Sequence, residues 1–198
     1  MSRLIVPIAG AFLMLSGCGA LVITPGTVID TPDKSDRSFA GKWEEYDSAF
    51  PELESGNEPM TISGPDESGT YNVVIPKSPV DESNKDLRLR FVASDLEDGT
   101  GYALLEINAP DLNMSSKRFC AYALVKDDYL FVRAIDRAKV IKVIEKHGLP
   151  IQCERASLGS LTTQLVGEKQ DIIKLVRNHA TEITDEPGIA RRAKLAAE

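Results

Sequence analysis

The sequence is poor in the residues that build metal, disulfide and nucleic-acid sites. Its 198 residues include three cysteines, two histidines and one tryptophan, and aromatic residues make up 6% of the chain. There are 23 Lys and Arg against 30 Asp and Glu, which gives a formal net charge of −7. An acidic chain without a basic cluster binds phosphate backbones poorly, so we expect no nucleic-acid partner. The length predicts a single domain.

The chain also lacks the short motifs that mark common active sites. It has no Gly-x-Ser-x-Gly elbow, no Ser-x-x-Lys pair and no glycine-rich phosphate loop before a helix. Neighbouring carboxylates such as Glu44 and Glu45 are typical of a solvated surface. We therefore predict a protein that is not an enzyme and uses no cofactor. A hydrolase whose site is not visible in the sequence is the distant alternative.

The N-terminus carries the most specific signal in the sequence. One positive charge, Arg3, precedes an apolar run at 4–15, whose 12 residues suit a signal peptide and are too few to span a bilayer. The run ends in Leu15-Ser16-Gly17-Cys18, which resembles the lipobox of bacterial lipoproteins. The resemblance implies cleavage before Cys18, a diacylglyceryl group on its thiol and acylation of its new amino group. An ordinary secretory signal or a buried apolar helix are the alternatives.

The lipobox resemblance also implies a location. The residue after Cys18 is Gly19 and not aspartate, which by resemblance to enterobacterial lipoproteins implies the outer membrane, with the protein facing the periplasm. We predict a signal peptide at 1–17 and a lipidated, flexible tether at 18–38, because breakers and polar residues dominate the tether. One folded domain at 39–184 and a charged tail at 185–198 complete the predicted organisation, and we expect residues 189–198 of this tail to be frayed or weakly helical.

Apolar patterning predicts an α+β domain. Alternating or short apolar runs predict strands at 40–46, 60–63, 70–75, 86–92, 102–109, 119–125, 129–135, 151–158 and 161–166. Helical spacing predicts a helix at 136–148, capped by Asp136 and ended by Gly148, and a second helix at 168–183. These elements predict a curved antiparallel sheet or an incomplete barrel, with the two helices covering one face or an open end.

Two cysteines remain once lipidation has used Cys18. Cys120 and Cys153 both lie on predicted strands, and the oxidising periplasm permits a disulfide between them. Two unpaired buried thiols are the alternative, since free cysteine is a common core residue.

Both histidines lie in the last turn of a predicted helix. There the helix dipole favours a cation, which is a sufficient role for His147 and His179. A metal site would require the two to converge with a carboxylate, and no ligand-spacing motif such as His-Glu-x-x-His is present. The sequence therefore predicts no metal site.

The first strand of the predicted domain opens with Gly41-Lys42-Trp43. This resembles the Gly-x-Trp of lipocalins, in which the tryptophan closes the base of the barrel and the cup binds a small apolar ligand. The chain departs from that family in two ways. A Thr-Asp-Tyr-type element is absent, and the helix at 136–148 interrupts the strands, where a lipocalin has one helix after all eight. A tryptophan that fills any curved sheet is the alternative.

These features predict a lipid-anchored, non-enzymatic envelope protein that docks on an unidentified envelope macromolecule. The alternative is a lipocalin-like carrier of a small hydrophobic ligand. Arg88 and Arg90 alternate with Leu87, Leu89 and Phe91, so both arginines should point outward from the strand. We predict them as partner contacts, because arginine is enriched at interfaces.

Overall fold

The structure is a computed structural model that describes residues 21–24, 26–34, 37–46, 58–76, 86–109, 118–155 and 162–193. The strands are β1 Leu21–Thr24, β2 Gly41–Glu45, β3 Met60–Ser63, β4 Thr70–Ile75, β5 Leu87–Asp95, β6 Ala103–Asn108, β7 Arg118–Lys126, β8 Tyr129–Ala134, β9 Gln152–Arg155, β10 Thr162–Val166 and β11 Gly188–Arg192. The helices are α1 Arg137–His147, between β8 and β9, and α2 Lys169–Asn178, between β10 and β11.

Eight of these strands close into an antiparallel barrel. Going around it, the order is β6, β5, β4, β3, β2, β11, β8 and β7, and β7 pairs with β6 to complete the circle. Strands β2 to β8 follow one another in sequence, whereas β11 enters only after both helices. The predicted antiparallel sheet with two helices is confirmed in this coarse form. The prediction of an incomplete barrel is wrong, because the barrel is closed.

The closing strand lies where the sequence suggested a tail. Residues Gly188–Arg192 form β11, which pairs with β8 on one side and with β2 on the other. The prediction of a frayed or weakly helical segment is therefore wrong for these residues. The strand forms for a tertiary reason. The sequence Gly-Ile-Ala-Arg-Arg contains only one residue with strong strand propensity, but the two open sheet edges supply hydrogen bonds on both sides.

A second correction concerns the predicted tether. Residues Leu21–Thr24 form β1, which is parallel to β10 and antiparallel to the start of β7. Strand β9 pairs with β10, so β1, β10 and β9 extend the sheet away from the barrel wall. Val28 and Ile29 are also buried. Part of the segment predicted to be flexible is thus packed against the barrel.

The barrel core is the cluster of buried hydrophobic side chains that point into the barrel. It includes large side chains such as Trp43, Tyr71 and Phe91 and small ones such as Ala93 and Ala123. On β5 the burial alternates strictly, with Leu89, Phe91 and Ala93 buried, as the period-two pattern predicted.

An outer core lies between the barrel wall and the helices. It joins outward residues of β6 and β7, among them Leu104 and Tyr122, to Val140 of α1 and to Ile172 and Leu175 of α2. Strand β7 is consequently buried on both faces over most of its length. Apolar residues on both faces of the strands at 119–125 and 129–135 predicted that both strands are covered on each side. The prediction is confirmed for β7 and wrong for β8, whose buried positions alternate with partly exposed ones. The helices cover a face of the barrel wall.

The first helix begins and ends as its sequence predicted. The Asp136 side chain accepts a hydrogen bond from Lys139 N at 2.7 Å, which caps the N-terminus. At the C-terminus Gly148 adopts a left-handed conformation, and Leu149 N donates to Ile144 O at 3.1 Å. The second helix is shorter than predicted, since it ends at Asn178 and residues 179–183 form turns.

Candidate functional site

Trp43, on β2, is buried in the barrel core. Its ring is 1% exposed, and its Nε1 donates to Phe39 O at 2.8 Å. The guanidinium of Arg192 lies 4.6 Å from the centroid of the Trp43 ring and donates to Ala40 O at 3.0 Å and to Ser38 O at 3.1 Å. The tryptophan is therefore part of the barrel core, and the last strand supplies a cation that covers its ring. That it closes the base of a lipocalin-like barrel stays a prediction.

The glycine of the same motif has a steric reason. Gly41 has φ +149°, a conformation that other residues rarely adopt, and a Cβ there would lie 2.5 Å from Arg192 Nη1. Gly41, Trp43 and Arg192 thus form one unit, which we call the base cluster. The motif was visible in the sequence, but its arginine was not.

Beyond the base cluster, aromatic rings fill the barrel. Tyr71 stacks on Phe91 with centroids 4.7 Å apart, and Phe39 packs edge-on against both, at 5.5 and 5.7 Å. An eight-stranded barrel is just wide enough to be filled by side chains or to hold one small ligand. Next to the base cluster, the described side chains fill the interior of the barrel. Segments 47–57, 77–85 and 110–117 lie outside the described residues.

A small groove lies outside the barrel, beside the outer core. Its lining includes Leu96, Tyr102, Tyr122, Arg133 and Thr184, and its cavity volume is about 10 Å³. Pockets that bind small molecules measure roughly 300–1,000 Å³. This groove is too small for such a ligand.

The two arginines predicted as partner contacts lie where the alternation placed them. Arg88 and Arg90 are exposed on the outward face of β5. The residues directly opposite them on the neighbouring strands are Val74, Asn72 and Asn108. The prediction that this strand presents cationic side chains to solvent is confirmed, whereas a partner stays a prediction.

The predicted Cys120–Cys153 disulfide is not formed in the structure, where both residues are free thiols. Cys120 lies on β7 and Cys153 on β9, with β1 and β10 between these strands. Neighbouring strands are roughly 4.8 Å apart, and three such spacings separate β7 from β9. This separation exceeds the Cα distance of about 7 Å that a disulfide allows. Burial raises the pKa of both thiols, and the Glu106 carboxylate adds to this effect at Cys120.

A buried carboxylate ties the N-terminal segment to the barrel wall. Glu106 Oε2 accepts hydrogen bonds from Val28 N at 2.7 Å and from Ile29 N at 3.1 Å. Its Oε1 lies 3.3 Å from Arg118 Nε. Glu106 is therefore a structural clamp, a role that the run of apolar residues around it in β6 did not reveal.

The two histidines lie side by side. Their ring centroids are 4.4 Å apart, and Glu182 lies against both: its Oε1 is 2.8 Å from His179 Nδ1 and its Oε2 is 3.8 Å from His147 Nε2. Lys146 Nζ also lies 2.7 Å from Glu182 Oε2. The hydrogen bonds from His179 and Lys146 lower the pKa of Glu182 to about 2. The structure thus brings together two residues that the sequence assigned to separate helix ends.

The sequence reasoning missed Arg192, Glu106 and Glu182. Only Glu182 had a local signal, since it follows His179 by three residues and can therefore reach its ring. The other two act across long sequence separations. Cys18, the predicted lipidation site, lies outside the described residues. Within the described part of the chain, no helix is long and apolar enough to cross a membrane.

Comparisons of the chain with family models, with curated proteins and with solved structures gave no match. A function for this barrel therefore has to be inferred from its geometry and from the N-terminal sequence.

Proposed function

We propose that this protein is a lipid-anchored, non-enzymatic module of the bacterial cell envelope, attached through Cys18 to the outer membrane and facing the periplasm. The observation on which the proposal depends is the packed barrel. Trp43, Phe39, Tyr71 and Phe91 interlock inside it, so the described part of the barrel acts as a rigid framework that presents its outer surface.

The position of β1 shortens the tether. Strand β1 begins at Leu21, three residues after Cys18, and a chain of three residues spans at most about 11 Å. A lipid on Cys18 would therefore hold the extended sheet close to the membrane. This differs from a tether of about twenty residues, which would let the domain search roughly 25 Å.

Arg88 and Arg90 lie at the opposite end of the barrel wall from Leu21, the residue of β1 nearest to Cys18. Thr24 pairs with Arg118 and Arg90 with Asn108, and β1 runs from Thr24 back to Leu21 away from that row. Arg88 lies on the other side of the row that contains Thr24 and Arg90, farther from Leu21. We therefore assign Arg88 and Arg90 to contact with an acidic partner protein that approaches from the membrane-distal side, since guanidinium groups pair with carboxylates.

Crosslinking in whole envelopes tests this assignment. The full-length protein should capture a stoichiometric partner that the double variant Arg88→Glu/Arg90→Glu loses at least tenfold. The matched control, Lys42→Glu/Lys126→Glu, changes the net charge equally at two other exposed positions and should keep the partner. Equal capture by both variants would exclude the arginine face.

The anchor has its own test. Cys18→Ser should abolish labelling by a fatty-acid analogue and leave unprocessed precursor, whereas Cys153→Ser should be labelled normally. Normal maturation of Cys18→Ser would end the proposal of a lipid anchor.

A second candidate is a lipocalin-like carrier of a small hydrophobic ligand. It is favoured by the closed antiparallel barrel of eight strands, in whose core Trp43 is buried. Solvent extraction of the purified protein, followed by mass spectrometry, separates the candidates. One apolar molecule per chain, without a protein partner, would support the carrier and contradict the docking module.

A further inference from the structure

The ends of the two helices meet at the margin of the outer core. His147 is the last residue of α1, and His179 immediately follows α2. Glu182 lies in the turn after α2, where its N donates to His179 O at 2.9 Å. One nitrogen from each imidazole and one carboxylate oxygen of Glu182 all lie within 4.8 Å of one another. The end of α1 and the turn after α2 thus bring three potential metal-donor groups close together.

The backbone around these donors is fixed on both sides. The turn that holds Glu182 is tied to the start of α1, because Asp136 N donates to Ile183 O at 2.8 Å. Lys139 Nζ, also on α1, donates to Thr184 O at 2.6 Å. These bonds hold the turn and α1 together, so the approach of the two histidines does not depend on exposed side chains alone.

The chemistry of the donors selects a class of ion. Two imidazoles and a carboxylate suit zinc and its first-row neighbours, whereas calcium and magnesium prefer oxygen ligands alone. Ligand atoms around tetrahedral zinc lie about 3.3 Å apart. The donors, within 4.8 Å of one another, would reach that spacing through modest rotations of side chains that are partly exposed.

We propose that His147, His179 and Glu182 form a binding site for a divalent first-row transition metal ion, with zinc as the best fit. Three protein ligands leave a fourth coordination position open to water or to a donor from outside the chain. In the metal-free protein, Lys146 Nζ neutralises the same carboxylate at 2.7 Å. The ion takes over this role when it binds, and Lys146 therefore weakens metal affinity. This proposal is independent of the lipid anchor and of the arginine face.

Zinc titration of the full-length protein tests the site. The protein is purified without a histidine tag, stripped with a chelator and titrated with zinc chloride by calorimetry. We expect one ion per chain. His147→Ala and Glu182→Gln should each weaken binding at least about tenfold, since even residues that only support metal ligands contribute 10–100-fold. The matched control Glu154→Gln, which removes an exposed carboxylate on β9, should bind as the unmodified chain does.

A fourth variant makes the test directional. Lys146→Gln removes the competing ammonium and should tighten zinc binding, an effect that a damaged fold would not produce. Zinc should also raise the melting temperature of the unmodified chain but not that of His147→Ala. Absence of stoichiometric zinc, or affinity unchanged in the double variant His147→Ala/His179→Gln, would overturn the proposal. Circular dichroism of each metal-free variant shows that it is folded.

Discussion

The barrel core and the outer core follow different rules. Every member of the barrel core is hydrophobic, and its strand positions alternate with outward ones. The outer core combines strands, two helices and the N-terminal residues Val28 and Ile29, and it contains Cys120 beside the buried carboxylate of Glu106. The comparison shows that a buried thiol, a buried carboxylate and the cluster of His147, His179 and Glu182 lie in the outer layer or at its margin and not among the barrel-core side chains.

The largest loss of unfolding free energy should follow from truncating Trp43, the tryptophan of the base cluster. Trp43→Ala removes a ring that is 1% exposed and leaves Arg192 without the ring that it covers. Truncation of a buried tryptophan costs about 3–5 kcal/mol of unfolding free energy, so urea unfolding should shift strongly. Trp43→Phe keeps most of the buried area and should lose less. A loss below about 1 kcal/mol for Trp43→Ala would show that the base cluster does not support the barrel.

A change in the outer core should act locally. Glu106→Ala removes the acceptor of both Val28 N and Ile29 N together with the ion pair to Arg118. Leaving a buried donor unpaired costs about 1–3 kcal/mol. Hydrogen exchange should therefore speed up at Val28 and Ile29 and stay slow in the barrel strands. Equal acceleration throughout the barrel would contradict the separation of the two cores.

The barrel core was largely predictable, because period-two alternation is a local property of the sequence. Strand β5 and the two paired strands predicted at 119–125 and 129–135 matched their patterns. Strand β11 did not, because both strands that it pairs with, β8 and β2, are distant from it in the sequence. Whether the barrel closes was therefore not accessible from local patterning, which left it incomplete.

The candidate site shows the same limit. Each histidine was placed correctly near a helix end, and the sequence stated what a metal site would need: convergence with a carboxylate. Only the packing of α1 and α2 on the same wall brings His147 to His179 and Glu182. The disulfide prediction rested on an even number of remaining cysteines and on an oxidising compartment. Neither property indicates how many strands lie between Cys120 and Cys153 in the sheet, and the structure places two strands there.

A smaller effect should follow from one hydroxyl in the outer core. Tyr122 Oη donates to Val176 O at 2.6 Å, a carbonyl in the last turn of α2 that has no partner within the helix. Tyr122→Phe should lower the unfolding free energy by about 0.5–1.5 kcal/mol. Tyr102→Phe is the matched control, since its hydroxyl makes a longer, partly exposed contact of 3.3 Å with Arg133. Equal losses in the two variants would mean that the buried hydrogen bond adds nothing.

The last prediction concerns reaction rates and not stability. In the native protein, iodoacetamide should alkylate Cys153 at least about tenfold faster than Cys120, because the thiolate is the nucleophile and access to Cys120 requires the outer core to open. Cys120 is 5% exposed, and burial together with Glu106 raises its pKa, whereas Arg137 partly offsets the increase at Cys153. A mass-spectrometric time course measures both rates.

The alkylation rates also separate the two cores. Tyr122→Phe should accelerate alkylation of Cys120 more than that of Cys153, since it loosens only the layer that covers Cys120, whereas Trp43→Ala should expose both thiols through global unfolding. If neither thiol reacts until a reductant is added, the two cysteines are joined and the strand order β7, β1, β10, β9 is wrong. If Cys120 reacts first, the helices do not cover β7, and the outer core is not a closed layer.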